Sequence, residues 1–285
     1  MNSLFRKVIA VVGPTASGKT KLAIELAHKL NGEVISADSR LVYKGFDIAS
    51  AKPTLEEREG IPHHLIDIVE PEFNYSAGNY VEDAKKAIED ILSRDKTPIV
   101  AGGTGLYFRI LLENYNLPNV ETDYELRAKL EKRSREDLLK ELENVDKPTF
   151  ERVKDANLRR IIRSLELIIL LKKPLSEIQL EKEPEYEVEW QMPKIPSREW
   201  LYDRINKRVD VMVEMGIIEE TKNLIAKHGR IGNIVDTIGY KEILTYLDGE
   251  ATLEEALDKL KQHTRNYAKR QLTWFRRNPN LVINC

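Results

Sequence analysis

The sequence predicts an α/β protein: a phosphate-loop core built on a parallel sheet and interrupted by a helical insertion domain. Three observations predict it. The stretch VIAVVGPTASGKTKL, residues 8–22, reads as a strand, a glycine-containing loop and the start of a helix. Two further strand-like runs, EVISADS (33–39) and TPIVAGG (97–103), repeat the theme with an amphipathic helix between them. From about Asn119 the texture changes to charged, leucine-spaced helix without a strand signal.

Each element has its own warrant. VIAVV is a continuous β-branched run, the composition of a strand covered on both faces. KTKLAIELAHKL follows as a helix, and YSAGNYVEDAKKAIEDILSR reads as an amphipathic helix capped by Ser76. ETDYELRAKLEKRSREDLLKELENVD and NLRRIIRSLELIILLKKPLSEIQ supply the insertion, placed at 116–191. YEVEWQMPKIP returns to alternating, strand-like residues and SREWLYDRINKRVDVMVEMG opens another helix. The predicted core is therefore 1–115 with 192–285, ending in a strand-like LVIN. No internal repeat occurs.

Composition narrows the function classes. The 285 residues suffice for one large domain or two modest ones, with 41% hydrophobic and 32% charged residues, an ordinary globular balance. Lys plus Arg number 45 against 47 acids, a net charge of −2, so a polyanionic partner has to be met by a local patch. The only cysteine is Cys285, which excludes an intramolecular disulfide and a thiolate metal cluster. No run resembles a signal peptide or reaches the ~18 apolar residues of a spanning helix, so a soluble, cytoplasmic protein with no membrane partner is expected. His63 and His64 are adjacent and the five histidines form no i, i+4 ligand pair, so no zinc is expected and His64 reads as structural.

Gly13, Gly18, Lys19 and Thr20 complete G-x-x-x-x-G-K-T between a strand and a helix. The backbone of Gly13, Pro14, Thr15, Ala16, Ser17, Gly18, Lys19 and Thr20 (Pro14 lending shape rather than a donor) would wrap phosphates, aided by the helix N-terminus. Lys19 adds a point charge and Thr20 a hydroxyl for Mg2+. Alone, this motif points toward ATP. Asp38 ends an apolar strand, as a Mg2+ holder does, yet a polar loop without a guanine-reading signature follows it. AGGTGLYFR, 101–109, brings two glycines and Thr104 to the carboxyl end of a strand, where ligands of open α/β sheets bind. KQHTRNYAKRQLTWFRR, 261–277, carries six cations including Arg265, Lys269 and Arg270, no acid, and interleaved aromatics. It reads equally as an RNA grip and as an amphipathic helix with aromatics in the core.

GPTASGKT, ISADSRLVYKGFDIASAKP, PHHLIDI, YSAGNY and AGGTGLYF, in this order and spacing, resemble the tRNA dimethylallyltransferases, also called tRNA isopentenyltransferases, of bacterial type. SREWLYDRI, TIGYKE and YAKRQLTWFR continue the resemblance to the end of the chain.

The resemblance implies transfer of a dimethylallyl group from dimethylallyl diphosphate to the N6 amine of the adenine immediately 3′ of the anticodon, with release of diphosphate. It implies Mg2+ as cofactor, and dimethylallyl diphosphate and the tRNA anticodon stem-loop as partners. The protein is expected to act as a monomer. The loop then grips the leaving diphosphate, Asp38 accepts the amine proton, and Thr104 and Lys19 complete the catalytic set. Contacts to tRNA are implied for Asp38, Ser39, Arg40, Leu41, Thr104, Arg127, Arg159, Arg160, Ile161, Ile162, Arg163, Arg265, Lys269 and Arg270. On the helix holding 159–163 the arginines fall on one face, and Leu158, Ile161, Ile162 and Leu165 on the other.

Two departures stand out. Many members carry an arginine three residues before the Gly-Tyr pair, where VDTIGYKE has Asp236, with Lys241 just beyond the pair. The zinc finger appended in eukaryotic members is absent, as a single cysteine requires. Rival readings are a nucleotide-type kinase, suggested by the loop alone, a prenyltransferase of free adenosine nucleotides, and an RNA-binding protein whose loop is a relic. Lys19, Thr20 and Asp38 together speak against the last, and the basic segments favour tRNA over a free nucleotide.

Overall fold

A computed structural model describes residues 6–113, 115, 118, 120–178, 183, 185–278 and 280–284. Residue 116, where the insertion was expected to begin, and Cys285 lie outside them. The chain divides into two compact units: Met1–Glu113 with Pro184–Cys285, and Asn114–Glu183.

The first unit holds a six-stranded sheet of β1 (Lys7–Val12), β2 (Gly32–Ala37), β3 (His63–His64), β4 (Thr97–Gly102), β5 (Glu187–Pro193) and β6 (Leu281–Asn284). Their order is β3-β2-β4-β1-β5-β6, and every neighbouring pair is parallel. The return to the core thus comes earlier than 192. β5 pairs with β1 from Lys7↔Glu187 to Val11↔Gln191, so its residues belong to the sheet and not to the insertion.

The helices of this unit that precede the insertion are α1 (Lys19–Leu30), α2 (Ala77–Ser93) and α3 (Gly105–Leu112). β1 shows why its run has no polar alternation. Val8, Ala10 and Val12 pack with Tyr80, Ala84 and Ile88 of α2 and Phe108 of α3, while Ile9 and Val11 pack with Ala23 and Ala27 of α1. Side chains alternate faces along a strand, and both faces are covered. Ser76 caps α2 as expected: its hydroxyl accepts the Asn79 N–H, and the Asn79 side chain accepts the Ser76 N–H in return.

Register sets the site. Val12 and Ala37 both pair with Gly102, so β1, β2 and β4 end on one level and their following loops emerge side by side. A Cβ on Gly102 would fall 2.2 Å from the Ala37 carbonyl oxygen, so this close approach requires glycine.

The second unit contains α4 (Tyr124–Glu131), α5 (Arg135–Val145), α6 (Lys147–Val153) and α7 (Leu158–Leu171). Asp123, Ser134, Asp146 and Asn157 cap them through their side chains. Leu130, Leu138, Leu142, Ile161, Ile162 and Leu165 form a core of their own. Truncating any of these leucines to alanine should cost about 2–5 kcal/mol. The apolar face predicted for α7 points inward except at Leu158 in its first turn, which is 38% exposed.

The chain then re-enters the first unit with β5, α8 (Arg198–Glu214), α9 (Ile217–His228), α10 (Gly232–Val235), α11 (Tyr240–Leu247) and α12 (Leu253–Phe275).

Candidate active site

A cavity of about 760 Å³ opens at the carboxyl ends of β1, β2 and β4. Lys19 and Thr20, the first residues of α1, line it together with Asp38, Ser39, Arg40 and Leu41 from the loop after β2. Two helices beyond the sheet, α8 and α12, contribute Arg208, Met212, Leu260, Tyr267, Arg270 and Gln271. The wall is therefore polar beside the glycine loop and apolar around Ile48, Val209, Met212 and Leu260.

The loop from Gly13 to Gly18 turns on three residues at positive φ, Gly13 at 144°, Ala16 at 62° and Gly18 at 95°. Gly18 serves as N-cap of α1 with no capping side chain, which leaves the helix N-terminal amides for a ligand. Lys19 Nζ donates to the Pro14 carbonyl at 2.6 Å, and Ser17 Oγ donates to the same oxygen at 2.8 Å. Burial lowers the Lys19 ammonium to about 7, the nearby Arg208 cation adds to this, and Asp38 opposes it. A group lowered in this way gains most from an arriving anion.

Thr104, after β4, bonds the residues on either side of Asp38, after β2. Asp38 Oδ1 accepts the Arg40 N–H at 2.8 Å, which aims the carboxylate back over its own turn. Thr104 Oγ1 accepts the Ser39 N–H at 3.1 Å, and the Thr104 N–H donates to the Ala37 carbonyl at 3.1 Å. Tyr267 of α12 reaches the Thr104 side chain. Its phenol is held above the ordinary range by burial first and by the Asp38 charge second.

Several residues near the loop gave no signal in the sequence. Gln271 joins two loops through its side-chain amide, accepting the Thr15 N–H at 2.8 Å and donating to the Gly103 carbonyl at 3.0 Å. Arg208 donates to Thr15 Oγ1 at 3.1 Å and Arg204 to the Ala16 carbonyl at 2.8 Å. Both arginines sit in the stretch read only as a helix; their i, i+4 spacing is the one hint that they share a face.

Among the basic residues expected to meet RNA, the structure separates two kinds. Lys269 and Arg270 are exposed on α12, and Arg160 is exposed on α7. Arg265 is half-buried and donates to Asn206 Oδ1 at 2.7 Å. Arg127 Nε and Arg163 NH1 both close on Oε2 of the fully buried Glu166, at 2.8 and 2.9 Å. Ile161 and Ile162 are 0% and 3% exposed within the core of the second unit, so of the stretch 159–163 implied to meet tRNA these two side chains serve packing. The i, i+3 spacing that predicts the arginine face is obeyed, but a buried carboxylate holds Arg163. Asp236 is exposed and lines the cavity. His64 Nε2 donates to Glu33 Oε2 at 2.8 Å, in keeping with a structural role.

Among the described residues no cluster of three or more His, Cys, Asp or Glu side chains could hold a metal, and no helix is long and apolar enough to cross a membrane.

The sheet, the glycine loop and the cavity define an α/β protein with a strand–loop–helix of the phosphate-binding kind. A family model described as IPP transferase matches residues 41–278. The tRNA dimethylallyltransferase of Acetivibrio thermocellus is 47% identical over 281 residues, covering 96% of this chain and 90% of that protein. The enzyme of the same name from Pelotomaculum thermopropionicum is 46% identical, with 95% and 88% covered. A crystal structure of the full-length tRNA isopentenylpyrophosphate transferase of Bacillus halodurans is 43% identical with a TM-score of 0.74, covering 98% of this chain and 89% of that one. A eukaryotic dimethylallyltransferase acting on tRNA is 31% identical with a TM-score of 0.83, covering 97% and 73%. The chain belongs to the IPP transferase family.

Proposed function

We propose that the protein transfers a dimethylallyl group from dimethylallyl diphosphate to the N6 amine of the adenine immediately 3′ of the anticodon in tRNA. As a family member with relatives at this identity, it is a tRNA-modifying prenyltransferase. The kinase alternative, suggested by the loop alone, is not favoured, since the relatives reported above bear the prenyltransferase name. The observation that supports the finer reading most is that Lys19 and Asp38 line one cavity, with Thr104 bonded to the Ser39 N–H next to Asp38.

In this reading the adenine amine attacks C1 of the dimethylallyl group as the C1–O bond breaks, and diphosphate leaves with the bonding electrons. Asp38 takes the proton lost from N6. Thr104 and Tyr267 hold the base beside Asp38, while Lys19 and the amides of residues 16–20 meet the charge growing on the diphosphate. A base stacked in an anticodon loop has to swing out to reach a carboxylate in a cavity, so grips on the RNA backbone are needed, and Lys269, Arg270 and Arg160 are placed among them.

Mg2+ completes the proposal. With no cluster of three or more ligating side chains among the described residues, an ion would rest on the Thr20 hydroxyl, diphosphate oxygens and water, a donor set of hard oxygens that suits it. When bound it supplies charge neutralisation at the leaving group. A monomer working in the cytoplasm with no membrane partner belongs to the same reading. The test is to incubate the protein with unmodified tRNA, Mg2+ and dimethylallyl diphosphate, then weigh the digested nucleosides by mass spectrometry. A prenylated adenosine without added ATP is expected; no such product, or a strict need for ATP, overturns the proposal.

A further inference from the structure

We propose that Gln271 is a positioning residue that holds the diphosphate loop and the Thr104 loop at a fixed separation; the inference rests on the prenyl-transfer reading above. Its side chain is 5% exposed. The Oε1 accepts the Thr15 N–H and the Nε2 donates to the Gly103 carbonyl, so one amide satisfies a donor in one loop and an acceptor in the other. Neither backbone group has a ladder or helix partner to fall back on, and leaving either unpaired would cost about 1–3 kcal/mol.

The glycine at 103 exists for this contact. A Cβ there would lie 2.1 Å from Gln271 Nε2, and the residue's backbone is outside the left-handed region, so space and not dihedral freedom is what glycine supplies. Along the same row of α12, Tyr267 reaches Thr104 and Trp274 covers Gly105, where a Cβ would fall 2.4 Å from the indole. Spacings of i, i+4 and i+3 put these three side chains on one helical face. Gln271 is the member of that row that crosses to the diphosphate loop.

The consequence is geometric. The nucleophile is held on the Asp38–Thr104 side and the leaving group on the Lys19 side, and the displacement needs both in line. A misplacement of about 1 Å costs roughly 100-fold in such a step. Thr15 N–H, spent on Gln271, is turned away from the anion, so the cradle begins at Ala16.

Two substitutions test this from opposite sides. Gln271→Met keeps the volume and removes both hydrogen bonds; Gly103→Ala leaves Gln271 in the chain and pushes its amide aside. Thermal midpoint, kcat, KM for tRNA and affinity for inorganic pyrophosphate are measured for each and for the double variant. Folded single variants should lose roughly 10- to 100-fold in kcat with KM for tRNA changed less than about twofold. The double variant should be no worse than either single one, because both act on the same bridge. Additive losses, or kcat and pyrophosphate affinity within about twofold of wild type in a folded variant, overturn the role. Should Gln271→Met fail to fold, Gly103→Ala decides alone, since its clash is with the end of a flexible side chain. If the wild-type protein forms no prenylated tRNA, the function falls separately, and pyrophosphate affinity still reports whether Gln271 orders the loop.

Discussion

The hydroxyl of Tyr240 donates to Glu220 Oε1 at 2.7 Å, and the same carboxylate accepts the backbone N–H groups of Asp47, Ile48 and Ala49 at 3.2, 2.8 and 3.1 Å. One side chain on α9 thus fixes the loop that brings Ile48 to the apolar wall of the cavity. Burial, followed by the Glu220 charge, holds the phenol far above its ordinary range, so it stays a donor. Glu220→Ala leaves these donors unpaired and should destabilise by about 2–4 kcal/mol, with Glu220→Gln costing less. Denaturant unfolding checks this; an alanine variant within about 0.5 kcal/mol of wild type would show that water replaces the carboxylate.

Lys19 makes a pH prediction. Burial first and Arg208 second lower its ammonium to about 7, so the free protein loses this charge as pH rises through 7. A bound diphosphate favours the protonated form, so affinity for pyrophosphate should be level below about pH 7 and fall by up to tenfold per unit above it. The stability term has the opposite sign, because the unfolded lysine still binds its proton up to its ordinary value of 10.5. Calorimetry of pyrophosphate binding between pH 6 and 9 measures the slope, with Lys19→Arg as the control that stays charged. Equal slopes for the two proteins would remove Lys19 as the cause.

The parallel sheet and the order of its loops were legible because the strands are apolar runs flanked by glycine, a local pattern. The caps at Ser76, Asp123 and Ser134 and the inward face of α7 obey equally local rules. The bond from Gln271 to Thr15 spans a sequence separation of 256 residues, and the one from Glu220 to Ala49 spans 171, so no periodicity could announce them. The fate of the arginine stripe on α7 was hidden differently, since Glu166 lies only three residues from Arg163. The stripe's spacing predicts which face the cations share, but the buried Glu166 that captures Arg163 lies on the next turn of an otherwise apolar face. The early return of the core at β5 follows from pairing with β1, which the alternating YEVEWQMP suggested without fixing its start.

Asp38 lines the cavity together with Lys19, and its carboxylate is oriented by the Arg40 N–H. The proposed proton transfer is made in the transition state, so Asp38→Ala should lower kcat by roughly 100-fold or more while leaving tRNA affinity within a few-fold. Asp38→Asn keeps the shape and should lose nearly as much. Single-turnover prenylation with a filter-binding measurement of tRNA separates the two quantities. Turnover near wild type in either variant would move the base elsewhere.

Glu33 gives the fold its own pH dependence. Its carboxylate is 2% exposed and bound by Arg94, Lys96 and His64. Arg94 first, against the cost of burial, and then Lys96 and His64 hold its pKa well below the ordinary 4.5. A lowered carboxylate contributes stability that is present above 4.5 and is lost as the pH falls from there toward the native value. Wild type should therefore lose stability more steeply than Glu33→Gln below about pH 4.5, the two curves converging in acid. At pH 7 the glutamine variant should be weaker by about 2 kcal/mol, a modest figure because Arg94 and Lys96 reach solvent. Parallel curves across that range would assign the acid response to other carboxylates.

Arg160 and Arg163 stand one turn apart on α7 and should fail differently. Arg163 pairs with Glu166 at 2.9 Å and donates to the Val120 carbonyl at 3.0 Å. Burial works to raise the Glu166 carboxyl, and Arg163 and Arg127 outweigh it, so the pair is held ionised. Arg163→Ala leaves a buried carboxylate with one arginine fewer and should destabilise the second unit by about 2–4 kcal/mol. Arg160 is exposed beside the cap of α7, and its loss should scarcely touch stability. If it grips a phosphate, Arg160→Ala should instead reduce the slope of log affinity against log salt by roughly one, with a similar loss on every tRNA tested. Binding measured across a salt series, together with thermal unfolding of both variants, resolves the two roles. A salt slope altered by Arg163→Ala in a protein of wild-type stability would restore Arg163 to the RNA-facing set, and an unchanged slope for Arg160→Ala would make that side chain solvated charge.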